Sequence, residues 1–415
     1  MTPERLQNSV ELMALLLSLQ VRDLLRCIAF DEAHCISEMG HDYRPAYLSL
    51  EALLRRFRGI PVLAMTATAN DDVQADIRMQ LGLQDPVVVI GPLDRSNIAH
   101  RVVLKDGPSK VCNQIVSLAR EHSGACGIVY CMSRAGCQEV AAQLDAAGFR
   151  VAVYHAGLDQ GVRESAHTDW IRGDVDIMVA TVAFGVGIDK QDVRFVVHAT
   201  LPKSVSAYEQ GSGRAGRDGL ASWSYVLYCY NDSARLQRLI ARGSLAPQQL
   251  RRQLDNLSEM VALFDDHSCC RMQQLRLHRS EPLGARCGAQ NACDVCSAGR
   301  RFQDSDVSGQ VRLLIRLVGS TTHTFTLRHI ADVFRGLSTP KVKVLRHNRA
   351  PAFGAGKAFA TSDVDRLCRL MVRMDVLVEV QTWTQHNRLA VYVKAGPNAG
   401  PFERSGTEII MSLRL

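Results

Sequence analysis

The sequence predicts an α/β fold with two parallel sheets, the first incomplete and the second complete, followed by a cysteine-bearing helical module and a mixed C-terminal domain. Three observations carry this. From Ala125 to Tyr230 short apolar strands alternate with amphipathic helices, the pattern of a parallel sheet covered on both faces. Upstream, CIAFDEAH (Cys27 to His34) and PVLAMTAT (Pro61 to Thr68) read as two strands of a separate sheet. Beyond Tyr230 the chain turns helical and arginine-rich, passes through a cysteine cluster, and ends in a segment from Val307 to Lys394 that closes with a strand-turn-strand.

Each element has a local reason. LDRSNIAHRVVL (Leu93 to Leu104) reads as the segment joining the two sheets. GIVYC (Gly127 to Cys131) is a β-rich run, Ser133 can cap a helix through Leu144, Gly148 can end it, and RVAVYHAG (Arg150 to Gly157) returns as the next strand. Further strands follow at VDIMVAT (Val175 to Thr181), VRFVVHA (Val193 to Ala199) and SWSYVLYCY (Ser222 to Tyr230). The expected boundaries are 1–92 for the first sheet, 93–232 for the second, 233–300 for the cysteine module, 301–394 for the mixed domain, and 395–415 for a tail, of which Ala395 to Gly406, rich in Gly and Pro, reads as disordered.

A chain of 415 residues, 47% of them hydrophobic, has enough apolar surface for two or three domains. The formal charge of +7 suits a phosphate-bearing partner without demanding one. Its longest apolar run, Leu12 to Leu17, is far short of a membrane span, and no signal-peptide pattern opens the chain. An intracellular, reducing setting follows. Most of the thirteen cysteines stand singly in apolar strands and helices, where a reduced thiol packs as a small hydrophobe.

The DEAH string (Asp31 to His34) ends an apolar strand, where adjacent carboxylates can face a nucleotide beside the C-terminal edge of a sheet. Asp31 would hold a magnesium ion and Glu32 would polarise the attacking water. Thr66 to Thr68 end the next strand and could couple the hydrolytic site to a second one. In QGSGRAGRDG (Gln210 to Gly219), Arg214 and Arg217 stand three apart with Gln210 leading in, so both can share one helix face and reach a γ-phosphate. ATVAFGVGIDK (Ala180 to Lys190) is a strand and a glycine-spaced turn bearing Asp189. No G-x-x-x-x-G-K-[ST] loop precedes the DEAH string, so the expectation is a motor without its first segment. FGAGKAFATSD (Phe353 to Asp363) imitates such a loop with the wrong Gly-to-Lys spacing and reads instead as a loop entering a helix near Ser362.

Cys293-x-x-Cys296 is a tight thiolate pair, and Cys287 with Cys269 can complete a tetrahedral zinc site. Cys270 is the alternative to Cys269, because adjacent helical residues point about a quarter-turn apart. Four cysteines leave no open position, which makes the zinc structural. Redox chemistry is the rival, but the strand-to-helix setting of a thioredoxin-type motif is missing.

FDEAHCISEMGHDYRPAY, LAMTATAN, YHAGL, ATVAFGVGIDK, VRFVVHATLPKSV and SGRAGRDG together resemble the motifs of RecQ-family DNA helicases, and the likeness runs from Thr2 to about Lys394. HATLPKSV, the RLQRLI helix and VDRLCRLMVRMDVL lean toward the Bloom-syndrome-type branch. The resemblance implies two RecA-like motor domains, the first truncated, then a zinc module and a winged-helix domain. It implies ATP with Mg²⁺ and Zn²⁺ as cofactors, single-stranded and forked or branched DNA as partner, 3′-to-5′ unwinding in recombination, repair and replication, and a nuclear location. Catalysis would fall to Asp31, Glu32, His34, Gln210, Arg214 and Arg217, nucleotide contact also to Gly187 and Asp189, and DNA contact or coupling to Thr66, Thr68, His41, Tyr43, Arg44, Ser133, Arg134, His155 and Thr181.

The chain departs from the family pattern in four places. Thr2-Pro3-Glu4 matches a motif that normally lies well inside the first motor domain, Glu38 and Met39 replace a Gln-Trp pair, Gly211 replaces a Glu, and no helicase-and-RNase-D C-terminal domain follows. A non-catalytic DNA-binding protein using the zinc module and winged helix is the alternative.

Overall fold

The computed structural model describes residues 3–38, 54–57, 59–66, 71–91, 94–185, 188–243, 247–319, 325–383, 389–404 and 407–414. Two compact units divide the chain, one of Met1–Leu263 with Cys270–Asp294 and the other of Phe264–Cys269 with Val295–Leu415.

After a short helix over Pro3–Asn8, the first unit continues with α1 (Val10–Val21), capped by Ser9, whose hydroxyl accepts from the Leu12 N–H at 3.2 Å. Strands β1 (Ile28–Phe30) and β2 (Val62–Ala64) pair in parallel, and α2 (Asp71–Gln80) packs Val73 and Ile77 with Ala33, Ile36 and Leu81 in a small core. The sequence expected these two strands.

Six further strands form one all-parallel sheet: β3 (Ile98–Leu104), β4 (Cys126–Tyr130), β5 (Val151–Tyr154), β6 (Ile177–Ala180), β7 (Val193–His198) and β8 (Ser222–Tyr228), in spatial order β3-β8-β7-β4-β6-β5. Alternate residues serve opposite faces. Val129, Val179, Val197 and Leu227 meet α3 (Val111–Glu121) and α4 (Arg134–Ala146) on one side, while Ile128, Met178 and Val196 join Trp170 of α5 (Gln160–Arg172) on the other. Ser133 caps α4 as the sequence suggested, accepting from the Gly136 N–H at 3.1 Å. The expectation that Leu93 to Leu104 merely joins the sheets is corrected, since Ile98 to Leu104 pair with Ser222 to Tyr228 as an edge strand. Polar His100 and Arg101 hide its strand character in the sequence.

The same unit continues through α6 (Val205–Ser212) and α7 (Asn231–Arg242), and α8 (Pro247–Asp265) carries the chain to the boundary between units. After it comes α9 (Arg271–His278), with Cys270 as N-cap residue.

In the second unit, α10 (Ser308–Gly319), α11 (Leu327–Phe334) and α12 (Thr361–Arg373) enclose a core that includes Leu314, Ile330, Phe334, Leu367 and Met371. Strands β10 (Leu377–Trp383) and β11 (Leu389–Ala395) form an antiparallel hairpin, the predicted strand-turn-strand. The phosphate-loop imitation is a run of turns leading into α12. The disorder expected over Ala395 to Gly406 is corrected at its described residues, and the tail beyond it carries a strand. Ala399–Arg404 is helical, and β12 (Ile410–Arg414) pairs antiparallel with β9 (Phe302–Asp306), because Ile409 and Met411 enter the core.

Candidate active site

Strand β1 ends at Phe30, and the turn after it aims two carboxylates. Glu32 takes a left-handed φ of 51°, a conformation that costs a non-glycine residue on the order of 1–3 kcal/mol and gathers at functional sites. Its N–H donates to Asp31 Oδ1 at 2.9 Å. His34 is buried, with Nδ1 3.0 Å from Thr66 Oγ1 and 3.4 Å from Glu32 Oε2, so the ring links the two strand ends.

Asp31, Glu32, Asp189, Gln210, Arg214 and Arg217 line one cleft of about 700 Å³. Gln210 Nε2 donates to Glu32 Oε1 at 3.4 Å, and Arg217 donates to Asp189 Oδ1 at 2.8 Å. Arg214 is buried, and its Nε has no hydrogen-bond partner. A desolvated guanidinium with an open donor at a cleft wall is chemically suited to a phosphate oxygen. Tyr130 behind it is pushed up to about 12 by burial, with Arg214 opposing, and its hydroxyl donates to the Phe184 carbonyl at 2.9 Å.

Two residues that sequence reading placed in a mere joining segment fix the arginine turn. Arg95 donates to the carbonyls of Gly213, Ala215 and Gly216 at 3.1, 2.9 and 2.7 Å, and Asn97 to those of Gly216 and Leu220 at 2.8 and 3.0 Å. These bonds hold the loop between Arg214 and Arg217 by its backbone. At Gly211, the departure from the family's Glu, an added Cβ would lie 2.6 Å from the His198 ring, so the present packing requires glycine.

The residues expected to touch DNA gather at one sheet edge. Ser133 and Arg134 follow β4, His155 follows β5, and Thr181 follows β6, three neighbouring parallel strands. Gly157 of YHAGL lets the Arg134 guanidinium lie over its backbone, since a Cβ there would be 2.5 Å from a terminal nitrogen. His155 is buried, and its Nδ1 has no partner. His41, Tyr43, Arg44, Thr68 and Gly187 lie outside the described residues.

For the metal, the structure gathers Cys270, Cys287, Cys293 and Cys296, whose sulfurs all lie within 4.8 Å of one another. A tetrahedral zinc with bonds near 2.3 Å needs sulfurs roughly 3.8 Å apart, so the set fits. Cys270 thus takes the place expected for Cys269, which is not in the group. The reason is local: Cys270 opens α9 and faces the loop, where its sulfur accepts from the Cys287 N–H at 3.3 Å. Cys287 in turn accepts from the Cys293 N–H at 3.2 Å. The Cys270 thiol is drawn well below its ordinary range by the bond with the Cys293 side chain and by the Cys287 and Gln273 amides, the state a ligand needs.

The helix face expected to carry both arginines is corrected: α6 ends at Ser212, and Arg214 and Arg217 stand in the turn that follows it. A parallel-sheet motor lobe with this arginine turn, joined to a four-cysteine module, defines the C-terminal lobe of a helicase with a zinc module. Family models agree: the helicase conserved C-terminal domain matches residues 108–219, the RecQ zinc-binding model 230–297, and the RQC domain 301–414. The chain belongs to the RecQ family. It is 37% identical over 393 residues to ATP-dependent DNA helicase Q-like 4B of Arabidopsis thaliana, covering 91% of this chain and 34% of that protein. It is 35% identical to RecQ-like DNA helicase BLM of Xenopus laevis (96% of this chain, 30% of that one) and 31% identical to ATP-dependent helicase SGS1 of Saccharomyces cerevisiae (100% and 29%). The chain therefore spans about a third of the length of these relatives. No described helix is long and apolar enough to cross a membrane.

Proposed function

We propose that this chain works as part of an ATP-dependent 3′-to-5′ DNA helicase of RecQ type, acting in the nucleus on single-stranded and forked or branched DNA during recombination, repair and replication. In this reading 1–92 belongs to the first motor domain, 93–232 is the second, 233–300 is the zinc module, and the winged-helix domain of 301–394 extends through the strand at 410–414. The observation that carries it is the meeting of Asp31, Glu32, Gln210, Asp189, Arg214 and Arg217 in one cleft, because a module that only bound DNA would have no use for that set.

ATP with Mg²⁺ supplies the phosphoryl chemistry when bound. Asp31 would hold the magnesium, Glu32 would orient the attacking water with Gln210 and His34 fixing its carboxylate, and Arg214 would meet phosphate charge from its buried position. Arg217 would leave Asp189 to act as the arginine finger, a contribution on the order of 10³ to 10⁵ in rate. The zinc is structural. Ser133, Arg134, His155 and Thr181 would follow the DNA strand, while Thr66 and His34 pass its presence to Glu32. The test is DNA-stimulated ATP hydrolysis by the chain. Turnover lost in Arg217→Ala with DNA binding intact is the expected result, and DNA binding without turnover in the parent chain would favour the non-catalytic alternative.

A further inference from the structure

Beyond the nucleotide-facing residues, one buried ion network is left without a role. The Arg279 side chain is 5% exposed and meets three carboxylates: it donates to Asp94 Oδ1 at 3.0 Å, to Glu281 Oε1 at 2.8 Å, and to Glu209 Oε1. Arg276, one turn earlier, donates to Asp94 Oδ2 at 2.7 Å. Burial opposes the charge on Arg279, yet Glu281 and Glu209 hold it above its ordinary range. Removing one partner from so buried a group strands the others.

Both far ends of this network touch the catalytic cleft through the next residue in the chain. Glu209 precedes Gln210, which contacts Glu32, and Asp94 precedes Arg95, which grips the carbonyls of Gly213, Ala215 and Gly216. Arg279, the C-cap residue of α9, itself lines the cleft, as do Met272 and Leu275 within that helix. At its other end that helix is anchored in the cysteine loop: Cys270 is its N-cap, and buried Arg271 pairs with Asp294 at 2.9 Å, next to Cys293. One helix of eight residues thus joins the cysteine cluster to the backbone that carries both arginines.

We infer that Arg279 is a positioning residue for ATP hydrolysis, which fixes the Gln210 and Arg214–Arg217 turn from the zinc module and makes turnover depend on that module independently of DNA contact. This rests on the helicase reading. Geometry lost at a distance from the reacting atoms costs as much as about a hundredfold in rate. A lysine keeps the charge but lacks the rigid fork that spans three carboxylates.

The experiment compares the full chain with Arg279→Lys and with Arg279→Gln/Glu209→Gln, which leaves no stranded charge between those two positions. Five quantities are read: zinc content, single-stranded-DNA affinity, kcat and KM for ATP, and amide exchange of the 209–219 segment. Expected for both variants are unchanged zinc and DNA affinity, faster exchange over 209–219, and a kcat lowered about tenfold to a hundredfold with KM little changed. Parent-like exchange and kcat in Arg279→Lys would overturn the inference, as would recovery of parent kcat in the double variant, which would mark the network as a purely structural ion pair. If the parent chain shows no turnover, the helicase reading fails on its own account, and the exchange of 209–219 still decides whether Arg279 orders the turn.

Discussion

Arg95 shows how much of the site rests on residues that hold its backbone in place. Its guanidinium satisfies three carbonyls of the arginine turn, and hydrogen bonds from a charged donor contribute about 1.5–3 kcal/mol each where the partner would otherwise be stranded. Arg95→Ala should lower unfolding free energy by about 2 kcal/mol and reduce turnover with the nucleotide-facing residues intact. Denaturant unfolding beside a kinetic assay checks this, and an unchanged midpoint would show that the carbonyls find other donors. Two buried histidines set a pH limit. Burial pushes His100 down to about 4 and His198 to about 3, from 6.5 in the unfolded chain. Between those values the unfolded chain takes up protons that the folded one refuses, so their stability is complete above 6.5 and lost as pH falls toward the folded values. The melting temperature should therefore drop steadily from about pH 7 to about pH 4.5. A flat profile would mean that both rings protonate in place.

At the scale of elements, the cysteine loop and the last strand give the sharpest expectations. Cys270→Ser and Cys296→Ser should release zinc and loosen the module, because coordination free energy is also folding free energy, whereas Cys269→Ser should keep the metal. Elemental analysis of the three purified variants separates these outcomes, and zinc lost from Cys269→Ser would overturn the ligand set. Removing residues 407–415 takes away β12 and the buried Ile409 and Met411. The C-terminal unit should lose about 2–5 kcal/mol, on the scale of deleting a large core side chain. An unchanged thermal transition would return this segment to the status of a tail.

The strands of the second sheet were readable because alternating or continuous apolar runs between turn residues leave few options, and Ser133 announced its helix by capping chemistry. β3 was not, since His100 is paid for by a hydroxyl, that of Tyr208 at 2.6 Å, lying 108 residues away. The same distance in sequence hid Arg95 and Arg279, whose partners stand 118 and 185 residues off. Asp31, Glu32, Gln210 and the two arginines stand in local motifs, so the sequence singles them out, and the structure brings them to one cleft. Cys269 and Cys270 could not be separated, as spacing alone does not say which of two adjacent thiols faces the loop. The composition of Ala395 to Gly406 suggests disorder, yet Ala399–Arg404 is helical, and beyond it Ile409 and Met411 draw a strand into the core.

At the scale of the whole molecule, the account stands on one claim: the cleft between Glu32, Gln210 and the arginine turn hydrolyses ATP in response to DNA. ATP hydrolysis by the purified chain, with and without single-stranded DNA and beside Arg217→Ala, tests it most directly. The account predicts DNA-stimulated turnover that falls on the order of 10³-fold or more in the variant while DNA affinity holds. Equal turnover in the two proteins, or equal loss of turnover and DNA binding, would contradict it.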